Sequence, residues 1–266
     1  MPRPVNRCNP AASVVYRFAA GIAFLLMRLQ RWRFDVRDAH HLPEVGGAVI
    51  AANHTSFVDF FTTGRHAYLE QGRPVRILAK ESLFRVPVFG WFMRRAEHIP
   101  VHRGAGGRAL ASAVEALQRG ELVLVLPEQT ISPAFELLPF KRGAARMAAA
   151  AGVPLIPAVS WGTHRCATVG RRPRFRWRLP VTIHYGEPMY PQPDDDLGEV
   201  LVELRLRIER LLHHVQSTYP DGAPRGAWWV PARLGGGAPP PDEVRAFLES
   251  LRQGWGRRPA GRDERA

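Results

Sequence analysis

His54 and Asp59 stand five residues apart in the segment Asn53-His54-Thr55-Ser56-Phe57-Val58-Asp59, directly after the apolar run Ala48 to Ala52. Residues five apart fall about 140° apart on a helix, so the pair cannot share one helical face. They converge if His54 lies in a turn and Asp59 in the first turn of a following helix. Nδ1–H then donates to the carboxylate and leaves Nε2 free as a base, the orienting arrangement of catalytic triads. The same residues also read as a helix start, because Ser56-x-x-Asp59 matches a capping box. Spacing alone leaves both readings open.

Further chemistry-bearing groups fall at the ends of short apolar runs. Glu128, Gln129 and Thr130 follow Leu122 to Leu126, the strongest strand signal of the chain. Arg103 follows Ile99-Pro100-Val101-His102. Lys141 and Arg142 open an alanine-rich stretch, where free N–H groups and the helix dipole add to an anion site. Each cation alone also reads as an ordinary solvated side chain. A His, an Asp, an Arg, a Glu and a Lys at four such ends make a stronger pattern than any one of them.

The elements that position these groups alternate. Strands are expected at 48–52, 76–79, 99–101, 122–126, 155–159 and 181–185. Helices are expected at 57–71, 88–94, 108–118, 142–151 and 197–215. Strands separated by helices predict an α/β fold with a mostly parallel central sheet flanked by helices. In such sheets ligand crevices open at the carboxyl ends of the strands. The segment 11–29 predicts an N-terminal amphipathic helix whose uncharged run, Phe18 to Met27, is too short to span a bilayer. Nothing resembling a small-residue cleavage site follows it. Arg17, Arg28 and Arg31 project to one side, which suits an interfacial helix as well as one packed on the domain. The expected layout is a membrane-surface helix at 1–33, an α/β domain at 34–218 and a Pro/Gly/Trp-rich tail at 219–266. That tail is expected to hold a short helix at 242–252 and a disordered end from 254.

The 266 residues carry 37 basic against 24 acidic groups, a formal charge of +13. Such an excess favours phosphate-rich partners: nucleic acid, anionic lipid or phosphorylated substrates. Only Lys80 and Lys141 are lysines. Arg172, Arg174, Arg176 and Arg178 alternate with Pro173, Phe175, Trp177 and Leu179. An extended strand there would put the four arginines on one face, toward a membrane or simply toward solvent. Cys8 and Cys166 cannot build a disulfide framework, and a reducing compartment is expected. Gly104-x-Gly106-x-x-Ala109 imitates a dinucleotide turn, a weak signal after so short a strand. His98 and His102 flank an extended tripeptide and read as structural histidines.

Taken in order, these blocks resemble the glycerolipid acyltransferase family, in particular the 1-acylglycerol-3-phosphate acyltransferases. His54 and Asp59 meet the family's His-x4-Asp signature, and Arg103 matches its second block. Leu126-Pro127-Glu128-Gln129-Thr130-Ile131-Ser132 is similar to Phe-Pro-Glu-Gly-Thr-Arg-Ser, followed by Phe140-Lys141-Arg142-Gly143. Val153-Pro154-Leu155-Ile156-Pro157-Ala158-Val159 is similar to the fourth block. The resemblance covers residues 30 to 215. It implies acyl transfer from acyl-CoA or acyl carrier protein to a lysophospholipid hydroxyl, giving phosphatidate from 1-acylglycerol-3-phosphate. His54 would be the general base oriented by Asp59, with Arg103, Glu128, Gln129, Thr130, Lys141 and Arg142 binding substrate. No cofactor or metal is implied, since a thioester is already activated. The implied setting is the cytoplasmic face of an anionic membrane, peripheral or monotopic, with no nucleic acid partner.

Two departures bear on the acceptor. Gln129 stands where the pattern has Gly, and Ile131 where it has Arg. A different lyso-lipid acceptor is therefore the nearest alternative. From another class, a non-catalytic basic protein binding anionic lipid or nucleic acid fits the charge, Phe175 and Trp177, and Trp228-Trp229.

Overall fold

The computed structural model describes residues 10–102 and 106–256. Its elements in chain order are α1 (Pro10–Leu29), β1 (Arg33–Arg37), β2 (Ala48–Ala52), α2 (Asp59–Thr63), α3 (Arg65–Leu69), β3 (Val75–Lys80), α4 (Glu81–Phe84) and α5 (Phe89–Arg95). There follow β4 (Ile99–Val101), α6 (Gly106–Gln118), β5 (Leu122–Val125), α7 (Gly143–Ala151), β6 (Leu155–Trp161), β7 (Pro180–Tyr185), α8 (Leu197–Ser217) and α9 (Pro241–Gly256).

The strands form one sheet in the order β1-β7-β6-β2-β5-β3-β4. β2 to β6 run parallel, whereas β7 pairs antiparallel with β6 and carries β1 parallel to itself. Five strands thus end at one edge of the sheet, where β1 and β7 begin. The expected α/β architecture is the one observed.

Successive strand residues point to opposite faces. Val49, Val123, Leu155 and Val159 face a layer built by α6, α7 and α8. Ile50, Leu124, Ile156 and Ile183 face a layer built from α1, α3, α4 and α5. With both faces covered, β2 is apolar at every position instead of alternating, and all five of its residues are buried. Each fully buried Leu or Ile here contributes about 1.5–3 kcal/mol. The alanines of α7 let that helix lie close on the sheet, and Gly152 ends it in the left-handed conformation (φ 64°).

Three expectations need correction. The helix read over 57–71 is two short helices meeting at Gly64, which passes so close to Val75 that a Cβ would sit 3.3 Å from it. The segment 172–178 is not a strand: it is an irregular loop, and Phe175 and Trp177 are exposed along with most of its arginines. Arg178 turns the chain at φ 53°, which breaks the alternation. At the chain's end, α9 continues through 254–256, and the expected disorder over 257–266 lies outside the described residues.

α1 packs and exposes at once. Ala20 and Met27 are buried, and the Tyr16 hydroxyl accepts a hydrogen bond from the Val75 N–H at 3.3 Å. Its other side leaves Val14, Phe18, Ile22, Leu25, Leu26 and Leu29 exposed. No helix among the described residues is long and apolar enough to cross a membrane. The segment after α8 folds back, and Trp229 and Val230 are buried in the α6–α8 layer.

Candidate active site

His54 leaves the carboxyl end of β2 in a turn, and Asp59 opens α2. Their side chains meet, Nδ1 lying 3.2 Å from Asp59 Oδ2. The same oxygen accepts the backbone N–H groups of Thr55 and Ser56, each at 2.7 Å. Oδ1 accepts the Thr163 hydroxyl at 2.7 Å. The capping reading and the orienting reading are therefore both realised by one carboxylate. Asp59 is fully buried and His54 is 18% exposed. A carboxylate acceptor selects the tautomer with the proton on Nδ1, and among the described residues no group engages Nε2. The arrangement is that of an oriented base at an open edge.

The backbone of His54 is gripped on both sides by the loop after β5. Its N–H donates to Glu128 Oε1 at 2.8 Å, and its carbonyl accepts the Ser132 N–H at 2.8 Å. The other Glu128 oxygen accepts the Leu138 N–H at 2.8 Å. This corrects the expectation that Glu128 touches substrate: it is buried, and both oxygens are taken by backbone donors. Burial pushes its carboxyl up to about 8, against the pull of those two N–H groups, and the charge of Asp59 adds to the rise.

Beside this turn lies a cavity of about 310 Å³ at the ends of β3, β4 and β5. Leu78, Val101, Leu110 and Met147 give it apolar walls, and Lys80, Gln129 and Lys141 line it too. Both lysines of the chain thus stand at one cavity, and Lys80 was not singled out from the sequence. Gln129 holds φ 60°, the left-handed conformation that makes glycine the easier residue there. Ile131, at the position where the family pattern has arginine, is buried and offers nothing to the cavity. Thr130 is half-buried and does not line it. Arg142 does not line it either; its guanidinium lies near Gly198 at the start of α8. Arg103 lies outside the described residues.

Neither His98 nor His102 joins this pair. His98 is buried and accepts the Ile77 N–H on Nδ1, whereas His102 is exposed beside Glu81. Thr163 and Ser132 also escaped the sequence reading. Each acts on the His54 turn from a distant part of the chain; Ser132 closes the block that begins at Leu126, whereas no local pattern marks Thr163.

Two stability measurements follow from these bonds. Thr163→Val leaves Asp59 Oδ1 buried without a donor, a loss of about 1–3 kcal/mol. Thr163→Ser keeps the hydroxyl and is expected near wild type in urea denaturation; equal loss in both variants would assign the effect to packing. For Glu128 the folded pKa lies above the ordinary 4.5. The folded state then binds more protons than the unfolded one between those values. Its contribution is fully present below about 4.5 and is lost as pH rises toward 8. Stability is expected to fall over that window, and Glu128→Gln to flatten the decline. An unchanged slope in the variant would show that Glu128 does not titrate there.

Comparison with known proteins bears on the region that holds this pair. The acyltransferase family model matches residues 33–161. A 1-acyl-sn-glycerol-3-phosphate acyltransferase of Bacillus subtilis (strain 168) is 26% identical over 198 residues, covering 74% of this chain and 96% of that protein. A chloroplastic 1-acyl-sn-glycerol-3-phosphate acyltransferase of Brassica napus is 31% identical over 143 residues, of which the chain spans only 40% of the relative's length. The crystal structure of the 1-acyl-sn-glycerophosphate acyltransferase PlsC from Thermotoga maritima superposes with a TM-score of 0.63 at 25% identity. That match covers 78% of this chain and 80% of the other. The His54–Asp59 pair at the strand edge lies inside the region that matches the acyltransferase family model.

Proposed function

We propose that this chain moves an acyl group from a thioester donor, acyl-CoA or acyl carrier protein, to the hydroxyl of a lysophospholipid. The favoured acceptor is 1-acylglycerol-3-phosphate, which would give phosphatidate. The observation that carries the reading is the His54–Asp59 pair, with Nε2 left unengaged by any described group beside a lysine-lined apolar cavity.

In this reading Nε2 takes the proton of the acceptor hydroxyl as its oxygen attacks the thioester carbonyl. The tetrahedral adduct collapses, the C–S bond breaks, and the imidazolium returns its proton to the leaving thiolate. Asp59 stays ionised, fixes the tautomer and stabilises the imidazolium. Base help of this kind supplies about 10²–10⁴-fold, and positioning of two substrates supplies more. The step needs neither cofactor nor metal. Lys80 and Lys141 would hold the acceptor's phosphate while its hydrocarbon lies on Leu78, Val101 and Met147, with Arg103 assisting.

The substrates are lipids, and α1 offers a way to meet them. Its exposed apolar stripe and flanking arginines suit an anionic bilayer surface, which would place the protein peripherally or monotopically on the cytoplasmic face. The buried Ile131 favours a second reading of the acceptor alone: a lyso-lipid with a headgroup other than a bare phosphate.

His54→Ala is expected to lower acceptor-dependent thiol release from acyl-CoA by about 10²-fold or more in a protein that stays folded. Near wild-type release would remove His54 as the base. Salt-sensitive DNA binding without any release would favour the non-catalytic alternative. Lys141→Gln is expected to raise the KM for lysophosphatidate with little change for the donor. A rise in the donor KM instead would move Lys141 to the thioester side.

A further inference from the structure

The connection from Gly162 to Leu179 carries six arginines and no acidic residue. It encloses a cavity of about 220 Å³ lined by His164, Arg165, Arg171, Arg172, Arg174 and Trp228 among others. Arg165 pairs with Asp221 at 2.5 Å, and Arg171 lies over the Trp228 ring at 4.1 Å. Among the described residues no acid pairs with Arg171, Arg172 or Arg174. Positive charge is thus gathered around a hollow without the carboxylates that would neutralise it.

Two buried polar atoms at this cavity are also unsatisfied. His164 is fully buried; its Nε2 donates to the Trp229 carbonyl at 3.0 Å, and Nδ1 has no partner. The Arg165 Nε–H is likewise buried without an acceptor. Buried polar groups are rarely left so, and both lie in residues that wall the arginine-lined cavity. An occupant must bring anionic oxygens for the guanidinium groups that line the cavity. A phosphate monoester, its second ionisation falling at about 6, brings close to two negative charges and three such oxygens near neutral pH.

The loop is also tied to the His54 turn. The Ala167 carbonyl accepts the Ser56 hydroxyl at 2.6 Å and the Phe57 N–H at 3.2 Å. The Thr168 hydroxyl donates to the Thr55 carbonyl at 2.7 Å. In the sheet, β6 and β7 lie on one side of β2, and β5 and β3 on the other. His54 therefore stands between this loop and the cavity of Lys80 and Lys141.

We propose that the Gly162–Leu179 loop forms a second anion site, for a phosphate monoester, on the side of His54 opposite the two lysines. The assignment rests on the acyl-transfer reading for its choice of ligands. That reaction joins two phosphate-bearing substrates, and two sites flanking the base would seat both. The monoester can come from the 3′-phosphate of a nucleotide-bearing donor or from the headgroup of a phosphatidate-like lipid.

Binding is measured directly, with adenosine 3′,5′-bisphosphate and with phosphatidylcholine vesicles containing either phosphatidate or phosphatidylglycerol at equal charge. The proteins are wild type, His54→Ala, a Lys80→Gln/Lys141→Gln double variant and an Arg171→Gln/Arg172→Gln/Arg174→Gln triple variant. The triple variant is expected to weaken binding about tenfold or more, since it removes several charge-assisted bonds. The lysine double variant should retain bisphosphate binding, whatever it loses toward phosphatidate at its own cavity. Bisphosphate binding lost in the triple variant places the donor nucleotide in the loop; a preference for phosphatidate over phosphatidylglycerol, lost in the same way, places a lipid headgroup there. Equal binding by wild type and the triple variant overturns the site, as does failure of all probes to bind. Loss confined to vesicles with no phosphatidate preference also overturns it, because that is surface charge alone. His54→Ala binds without turning over, so the site and the acyl-transfer reading can fail separately.

Discussion

The Asp59 carboxylate collects four donors: two backbone N–H groups of the preceding turn, the His54 ring and the Thr163 hydroxyl. A charge buried this completely is tolerable only when its lone pairs are filled. The bonds to Thr55 and Ser56 set the turn, the bond to Nδ1 sets the ring, and the bond to Thr163 ties both to the end of β6. A residue that looks like a helix cap is for that reason also the residue that aims the imidazole. The two roles do not compete, because a carboxylate has room for about four acceptor directions.

That turn would be of little use if it could slide. The sheet prevents this by placing β2 at its centre, with β6 and β5 as neighbours. Asn53 exchanges two hydrogen bonds with the Ser160 backbone on β6, and the loop after β5 holds His54 through Glu128 and Ser132. The imidazole is thus held from strands on both sides. Its open direction is the edge where five strands end, and at that edge the cationic loops collect.

What could be read from the sequence follows from the range of each interaction. His54 and Asp59 are local to one another, and their spacing already required a turn followed by a helix. β2, β5 and β6 were legible because buried parallel strands are apolar throughout. β1 was missed: its arginines and short length hide a strand whose partner, β7, lies far along the chain. Thr163 could not be found for the same reason. Glu128 was assigned to substrate because a charged residue at a strand end normally faces solvent, and only the fold shows both oxygens turned onto backbone donors. The alternation of arginines over 172–178 is genuine in sequence, yet the chain turns at Arg178 and leaves Phe175 and Trp177 in solvent. Period-two patterning specifies a strand only where a neighbouring strand is free to pair with it.

The distribution of cations around His54 carries a further physical distinction. Of 37 basic residues only Lys80 and Lys141 are lysines, and both line the apolar cavity on the β5 side. An ammonium on a flexible stem is a compact, rotatable point charge that can follow a headgroup as the attached chain settles. The β6 side presents guanidinium groups, one stacked on Trp228, whose planar forks suit a phosphate held in one orientation. Net charge alone could have drawn polyanions to any part of this surface. What composition could not supply is this separation, in which adaptable cations border the hydrocarbon-lined side and planar ones border the polar side of the same imidazole.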